Sequence, residues 1–293
     1  MTKILTHNGR FHADEVFAVA ILKIIFQDKI EVLRTRDLTT ISKVDFVLDI
    51  GRLYDPSINR YDHHQDTFTE KRENNIPYAT AGLIWKHYGT EITKSVEIVK
   101  RLDLLLIQAI DAEDNGVECV DPNSTYNPYM LSDVTQSFRR SYDIRNEETD
   151  LEDFLKAVEF AKELLIRVIT KIKANIDGEE EVEKIINSSE EKNFIVLDRK
   201  LPWEEIVMNY KEILYVIQFN DINNNWSVYA VRQNFNSFVV RKPFPKEWGG
   251  KEGESLVSIT GNNQAIFCHK GLFLTVTKTK ESAIKLTKLA IKT

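Results

Sequence analysis

Three observations predict an α/β fold in two domains. Strand-like and helix-like runs alternate over the first fifty residues, helical spacing dominates residues 79–186, and short strand-like runs return after a polar break at residues 187–192. Strand, helix, strand order at the N-terminus argues for a βαβ unit and a mostly parallel sheet flanked by helices, with a smaller α+β domain after it. The break sets the expected domains at 1–188 and 189–293.

Each element has its own signal. Ile4-Leu5-Thr6 is a short apolar run, and residues 15–26 are apolar almost all round, as in a helix buried against a sheet. Residues 30–34 and 44–50 read as strands, the second closed by Gly51. Helices are expected over 81–88, 92–114 and 151–186; the last carries Leu151, Phe154, Leu155, Val158, Leu165, Val168, Ile169 and Ile172 at helical spacing. Strand-like runs follow at 194–197, 213–219, 226–231 and 237–241, with Asn223-Asn224-Asn225 as a turn, and residues 281–291 read as a closing helix.

Composition bounds the function. With 42% hydrophobic and 29% charged residues, the 293-residue chain is ordinary globular material. No apolar run approaches the roughly 18 residues a membrane span needs, and no signal or transit segment is read, so a cytoplasmic location is expected. Cys119 and Cys268 are far apart, which points away from a disulfide scaffold or a thiolate zinc site. Residues 249–255 lack the spacing of a phosphate loop. Residues 194–293 carry a net charge of +5 and the remainder −11, an asymmetry that suits a phosphate-bearing substrate.

Histidine placement carries the chemistry. Five of the six histidines fall within the first 87 residues; His7, His12 and Asp14 come from the turn after the first expected strand, Asp49 from the end of the strand closed by Gly51, and Asp62-His63-His64 from the loop that follows. In a mostly parallel sheet those ends are where ligands bind. Nitrogen and oxygen donors of this kind suit Mn²⁺, Fe²⁺ or Zn²⁺. A two-metal phosphoesterase needs a carboxylate between its ions, and these residues supply the parts.

The same segments resemble the MYG1 family, a branch of the DHH phosphoesterase superfamily. The likeness rests on residues 6–15, 49–51, 54–56, 61–65, 81–89 and 111–116, and continues through 226–231, Ser237-Phe238 with Arg241, Pro245 with Trp248-Gly249, and 266–273. The resemblance implies a DHH-type fold and two divalent ions, Mn²⁺ first, with Mg²⁺ or Zn²⁺ as alternatives. By analogy, His7, His12 and Asp49 hold one ion, while Asp14, Asp49, His63 and Asp114 hold the other. Asp49 is then the bridge, Asp62 the carboxylate that fixes the tautomer of a neighbouring imidazole, and His64 a phosphate contact or proton donor. Asp114 ranks ahead of Asp111, three residues away on the same helical face. His12 departs from the aspartate of many DHH proteins. Arg241 and His269 lie in family-like motifs of the basic domain as candidate substrate contacts.

The expected function is therefore metal-dependent phosphodiester hydrolysis. The family's association with 3′-to-5′ exoribonuclease activity makes single-stranded RNA the leading substrate, with Trp226, Trp248 and Phe238 as aromatics of the kind that stack bases. The alternatives are hydrolysis of a small phosphorylated molecule or an amide, or a non-catalytic metal or nucleic-acid binding module.

Overall fold

The computed structural model describes residues 1–293 except Pro122, Arg145 and Asn236. The chain divides into two compact units, Met1–Lys173 and Ala174–Thr293. Among the described residues, no helix is long and apolar enough to cross a membrane.

The first unit opens with β1 (Thr2–Thr6), α1 (Ala13–Ile25), β2 (Ile30–Arg34) and β3 (Phe46–Leu48), followed by the two-residue strands β4 (Tyr54–Asp55) and β5 (Arg60–Tyr61). These form a sheet of order β2-β1-β3-β5-β4. Neighbours β2, β1, β3 and β5 are parallel, and only β4 runs antiparallel, against β5. The apolar character of α1 has a direct cause: every residue from Ala13 to Leu22 is buried. Fully burying side chains such as Val16, Phe17, Ile21 and Leu22 contributes roughly 1.5–3 kcal/mol each.

Helices α2 (Thr80–Thr93), α3 (Val96–Leu102) and α4 (Gln108–Asp114) follow. The helix expected over 92–114 is divided. Lys94 ends α2 in the left-handed region (φ +56°), and Ser95 starts α3 by accepting a hydrogen bond from the Ile98 amide at 3.3 Å. A π-helical turn, Asp103–Ile107, then joins α3 to α4. Such bulges leave a helical apolar pattern legible while rotating the turns beyond them, so composition does not reveal them. Helix α5 (Leu131–Gln136) is short, and α6 (Glu147–Ser188) is the longest in the chain. Within the first unit α6 buries Phe154, Ala157, Val158, Ala161 and Leu165, which is the helical spacing read from the sequence.

The second unit holds β6 (Phe194–Leu197), β7 (Tyr215–Asn220), β8 (Asn225–Ala230), α7 (Gly253–Thr260), β9 (Ala265–Cys268), β10 (Leu274–Thr277) and α8 (Lys280–Lys292). Its sheet has the order β6-β7-β8-β10-β9, with only β6 and β7 parallel. Alternation along β7 separates two apolar clusters: Tyr215 and Ile217 pack with Phe244, Trp248, Leu256 and Leu286, while Val216 packs with Val182, Ile195 and Trp203. Asn224 turns β7 into β8 at φ +49°. Residues 237–241, expected as a strand, contribute a single antiparallel bridge from Val240 to Arg232. Phe238 and Val239 are 89% and 58% exposed and only Val240 packs against the core, so this run lacks the continuous buried face that fixes register.

Candidate metal centre

Three adjacent parallel strands end at one place. β1, β3 and β5 finish at Thr6, Leu48 and Tyr61, so the next residues, His7, Asp49 and Asp62, emerge side by side at the carboxyl edge of the sheet. Here the chain bends sharply: Asp49, Gly51 and Arg52 all take positive φ, at +56°, +98° and +52°. A left-handed residue with a Cβ costs roughly 1–2 kcal/mol, a strain that clusters at functional sites. The loop after β1 is fixed differently. The His12 amide donates to both oxygens of Glu15 (3.1 and 2.9 Å), which closes the start of α1.

Asp49 stands between two imidazoles. Its Oδ2 is 3.2 Å from His7 Nε2, and its Oδ1 is 3.4 Å from His63 Nε2. His7 Nε2 also lies 3.1 Å from Glu15 Oε1. His63 Nε2 lies 3.1 Å from Asp114 Oδ2 and 3.9 Å from Asp14 Oδ2. His12 Nδ1 reaches Asp114 Oδ1 at 3.7 Å. Three groups of donors result, each within the span of one cation: His7, His12, Glu15 and Asp49; Asp49, His63 and His64; and Asp14, His63 and Asp114.

Asp14 carries a second duty, since its two oxygens accept the Thr80 and Ala81 amides (3.0 and 2.6 Å) at the start of α2. That ties α1 to α2 and fixes the carboxylate beside His63. Asp62 fixes His64 in turn. Its Oδ1 accepts the His64 amide (3.0 Å) and meets His64 Nδ1 (2.9 Å), while its Oδ2 accepts the Arg52 amide at 2.6 Å. With Nδ1 held, Nε2 of the half-exposed His64 is left to the cleft. That cleft, of about 430 Å³, is lined by His7, His12, Asp49, Asp62 and His64 together with Arg36 and Arg52.

Asp111 and Asp114 are separated by their surroundings. Asp111 is fully buried; its Oδ2 pairs with Arg72 at 2.7 Å and its Oδ1 accepts the Gly82 amide at 2.9 Å, away from the imidazoles. Gly82 is required there, because a Cβ would lie 1.8 Å from Asp111 Oδ2. In the second unit, Arg241 gives its guanidinium to the carbonyls of Tyr210 (2.6 Å), Ile213 (2.8 Å) and Val207 (3.1 Å). Three of its five N–H donors thus serve the fold, which gives Arg241 a structural role. His269 accepts the Gly271 amide at Nδ1 (2.9 Å) and packs on Phe273, ring centroids 4.4 Å apart. Trp248 is core, Trp226 is partly buried against the same core, and Phe238 is exposed beneath the Arg232 guanidinium.

Sequence reasoning passed over Glu15 and the cleft arginines Arg36 and Arg52. The signal for Glu15 was present as a capping-box spacing, His12-Ala13-Asp14-Glu15; for the arginines no motif marks them.

The electrostatics test whether cations fit. Asp14, Glu15, Asp49 and Asp62 are buried, and among the described ion pairs none joins these or Asp114 to lysine or arginine. Burial, reinforced by Asp114 and Asp49, pushes the Asp14 carboxyl well above its usual range. Burial would lower the two imidazoles, but Asp49 and Glu15 raise His7 to about 10, and Asp114 and Asp49 raise His63 to about 11. Most telling is His63 Nε2, which is buried and makes no hydrogen bond of acceptable geometry although three carboxylates surround it. Such an orphaned donor atom amid oxygen and nitrogen ligands, with no thiolate, fits a divalent cation that replaces the proton.

Fold and site together define an α/β protein with a carboxylate–imidazole centre at the carboxyl edge of a parallel sheet. The chain belongs to the MYG1 family: the MYG1_exonuc profile, described as an uncharacterised protein family (UPF0160), matches residues 3–291. A MYG1 protein of Dictyostelium discoideum is 33% identical, covering 99% of this chain and 95% of its own. One from Chlamydia muridarum is 31% identical over 98% and 96%, and the human protein named MYG1 exonuclease is 25% identical over 99% and 85%.

Proposed function

We propose that the protein is a divalent-metal-dependent phosphodiester hydrolase, a 3′-to-5′ exonuclease acting on single-stranded RNA. The observation that carries this reading is Asp49, which offers one oxygen to His7 and the other to His63. The names of the human and bovine relatives support the nuclease class. Two free cysteines, Cys119 exposed and Cys268 buried, fit a reducing cytoplasm.

His7, His12, Glu15 and Asp49 would hold one ion; Asp14, His63 and Asp114 would hold the other, with Asp49 reaching it on the His63 side. Bound there, two cations would activate water and offset charge on the attacked phosphoryl group, and the mixed donor set suits Mn²⁺, with Mg²⁺ or Zn²⁺ as alternatives. The chain's own part is positioning and proton transfer. Asp62 holds His64 through Nδ1, and that contact raises the imidazole above its ordinary value, which favours a proton on Nε2. His64 Nε2 then donates that proton to the leaving oxygen. Burial of Asp14, Glu15 and Asp49 keeps the ligands in one arrangement and limits competing water.

The test is incubation of purified protein with 3′- and 5′-labelled oligoribonucleotides and oligodeoxyribonucleotides in Mn²⁺ or Mg²⁺. A ladder shortening from the 3′ end of RNA is expected. Turnover of a small phosphate ester or amide alone would replace the nuclease reading, and no turnover of any substrate would leave a binding module.

A further inference from the structure

Among the described arginines of the first unit, most are committed to partners: Arg34 to Asp150, Arg60 to backbone carbonyls, Arg72 to Asp103 and Asp111, Arg140 to Asp153. Arg36 and Arg52 are different. Both are exposed, both line the cleft that holds His7, Asp49 and His64, and neither guanidinium has a hydrogen bond, ion pair or ring contact among the described residues. Neighbouring carboxylates are occupied elsewhere, Asp55 among them, which accepts the Ser57 amide (3.0 Å) and hydroxyl (2.6 Å). Asp37 is turned to Thr39, accepting its amide (3.0 Å) and hydroxyl (2.9 Å), and Asp62 is used by His64 and by the Arg52 backbone amide.

Their placement follows from the topology. Arg36 lies just beyond β2 and Arg52 just beyond β3, so the two come from the carboxyl edge of the same sheet, on either side of β1. Arg52 is held at φ +52°, a conformation unfavourable for arginine, while its own amide is anchored at 2.6 Å on Asp62. Aiming a free cation into an acidic cleft by way of strained backbone is worthwhile where an anion is to be received.

We propose that Arg36 and Arg52 form an anion subsite for the substrate phosphate next to the one hydrolysed, so that the cleft selects a chain of phosphodiesters over an isolated ester. The proposal rests on the hydrolase reading above. Guanidinium forks take phosphate oxygens in paired hydrogen bonds, and two of them beside the metal ligands offset the repulsion that Asp49, Asp62 and Asp114 exert on a polyanion. A cleft of about 430 Å³ has room for more than one phosphate group.

Arg36→Gln, Arg52→Gly and the double variant test it, glycine being suited to the left-handed position at 52. Hydrolysis of a short oligoribonucleotide is compared with that of bis(p-nitrophenyl) phosphate, which carries one phosphate. KM for the oligonucleotide is expected to rise about tenfold in each single variant with kcat little changed, while both constants for the small ester stay the same. Equal loss on both substrates, or no change on either, overturns the subsite. Binding of a fluorescent pentaribonucleotide, read by anisotropy with Mn²⁺ and again with chelator, tests the subsite without turnover. The double variant is expected to bind about a hundredfold more weakly and with a shallower salt dependence. Wild type and variant that are indistinguishable in both conditions overturn the proposal even if no hydrolysis is ever seen, whereas failure of hydrolysis with the binding difference intact overturns only the hydrolase reading.

Discussion

His63 Nε2 and Asp49 Oδ1 lie 3.4 Å apart in a buried setting and make no hydrogen bond of acceptable geometry. The opposite oxygen of Asp49 faces His7 Nε2 at 3.2 Å. One carboxylate thus separates two imidazoles from two different strand ends, and the consequences can be measured.

Metal binding should release protons. Without a cation, His7 and His63 are held protonated at neutral pH by their neighbouring carboxylates, which outweigh burial and raise them to about 10 and about 11. Ligation needs neutral imidazole, so apparent affinity should climb as pH rises from neutrality toward those values. Titration calorimetry with Mn²⁺ in buffers of different ionisation enthalpy should show proton release at pH 7; heats independent of buffer would refute it.

His64→Ala should retain the metals and slow turnover by about a hundredfold or more. Because Asp62 raises the His64 imidazole, the wild-type rate should persist above pH 6.5 and fall as pH rises through the raised value, where the donor loses its proton. Asp62→Asn should move that fall to lower pH. A basic limb that stays in place would mean that His64 is not the acid.

Glu15→Gln separates structure from ligation. Glutamine keeps an acceptor for the His12 amide, so thermal stability should change by less than about 1 kcal/mol, while loss of charge beside His7 weakens metal affinity about ten- to a hundredfold. Unchanged metal affinity in equilibrium dialysis would remove Glu15 from the centre.

Arg241→Ala should act on stability. Three backbone carbonyls lose their donor at once, at a cost of about 2–4 kcal/mol, visible as a lower denaturation midpoint. Weaker RNA binding with an unchanged midpoint would return Arg241 to the substrate.

The alternation of strand and helix, and the positions of His7, Asp49 and His63 just beyond apolar runs, were legible because a parallel sheet puts its strand ends at one edge. Glu15 was hidden inside an apolar helix, where only its spacing from His12 marked it. Asp111 and Asp114 were indistinguishable by pattern, since helical spacing puts both on one face; Arg72 and Gly82, far away in sequence, occupy the first. Residues 237–241 carry strand-forming types, yet pairing depends on a neighbour and a buried face that the local sequence does not encode.

The central claim is that two cations share Asp49. Mn²⁺ bound to saturation, counted by elemental analysis and observed by electron paramagnetic resonance, tests this most directly. Two ions per chain with an exchange-coupled spectrum are predicted, and Asp49→Asn should uncouple or lose one of them while the hydrolytic rate falls about a thousandfold or more. One ion per chain with the six-line spectrum of isolated Mn²⁺ in the wild type would contradict the account.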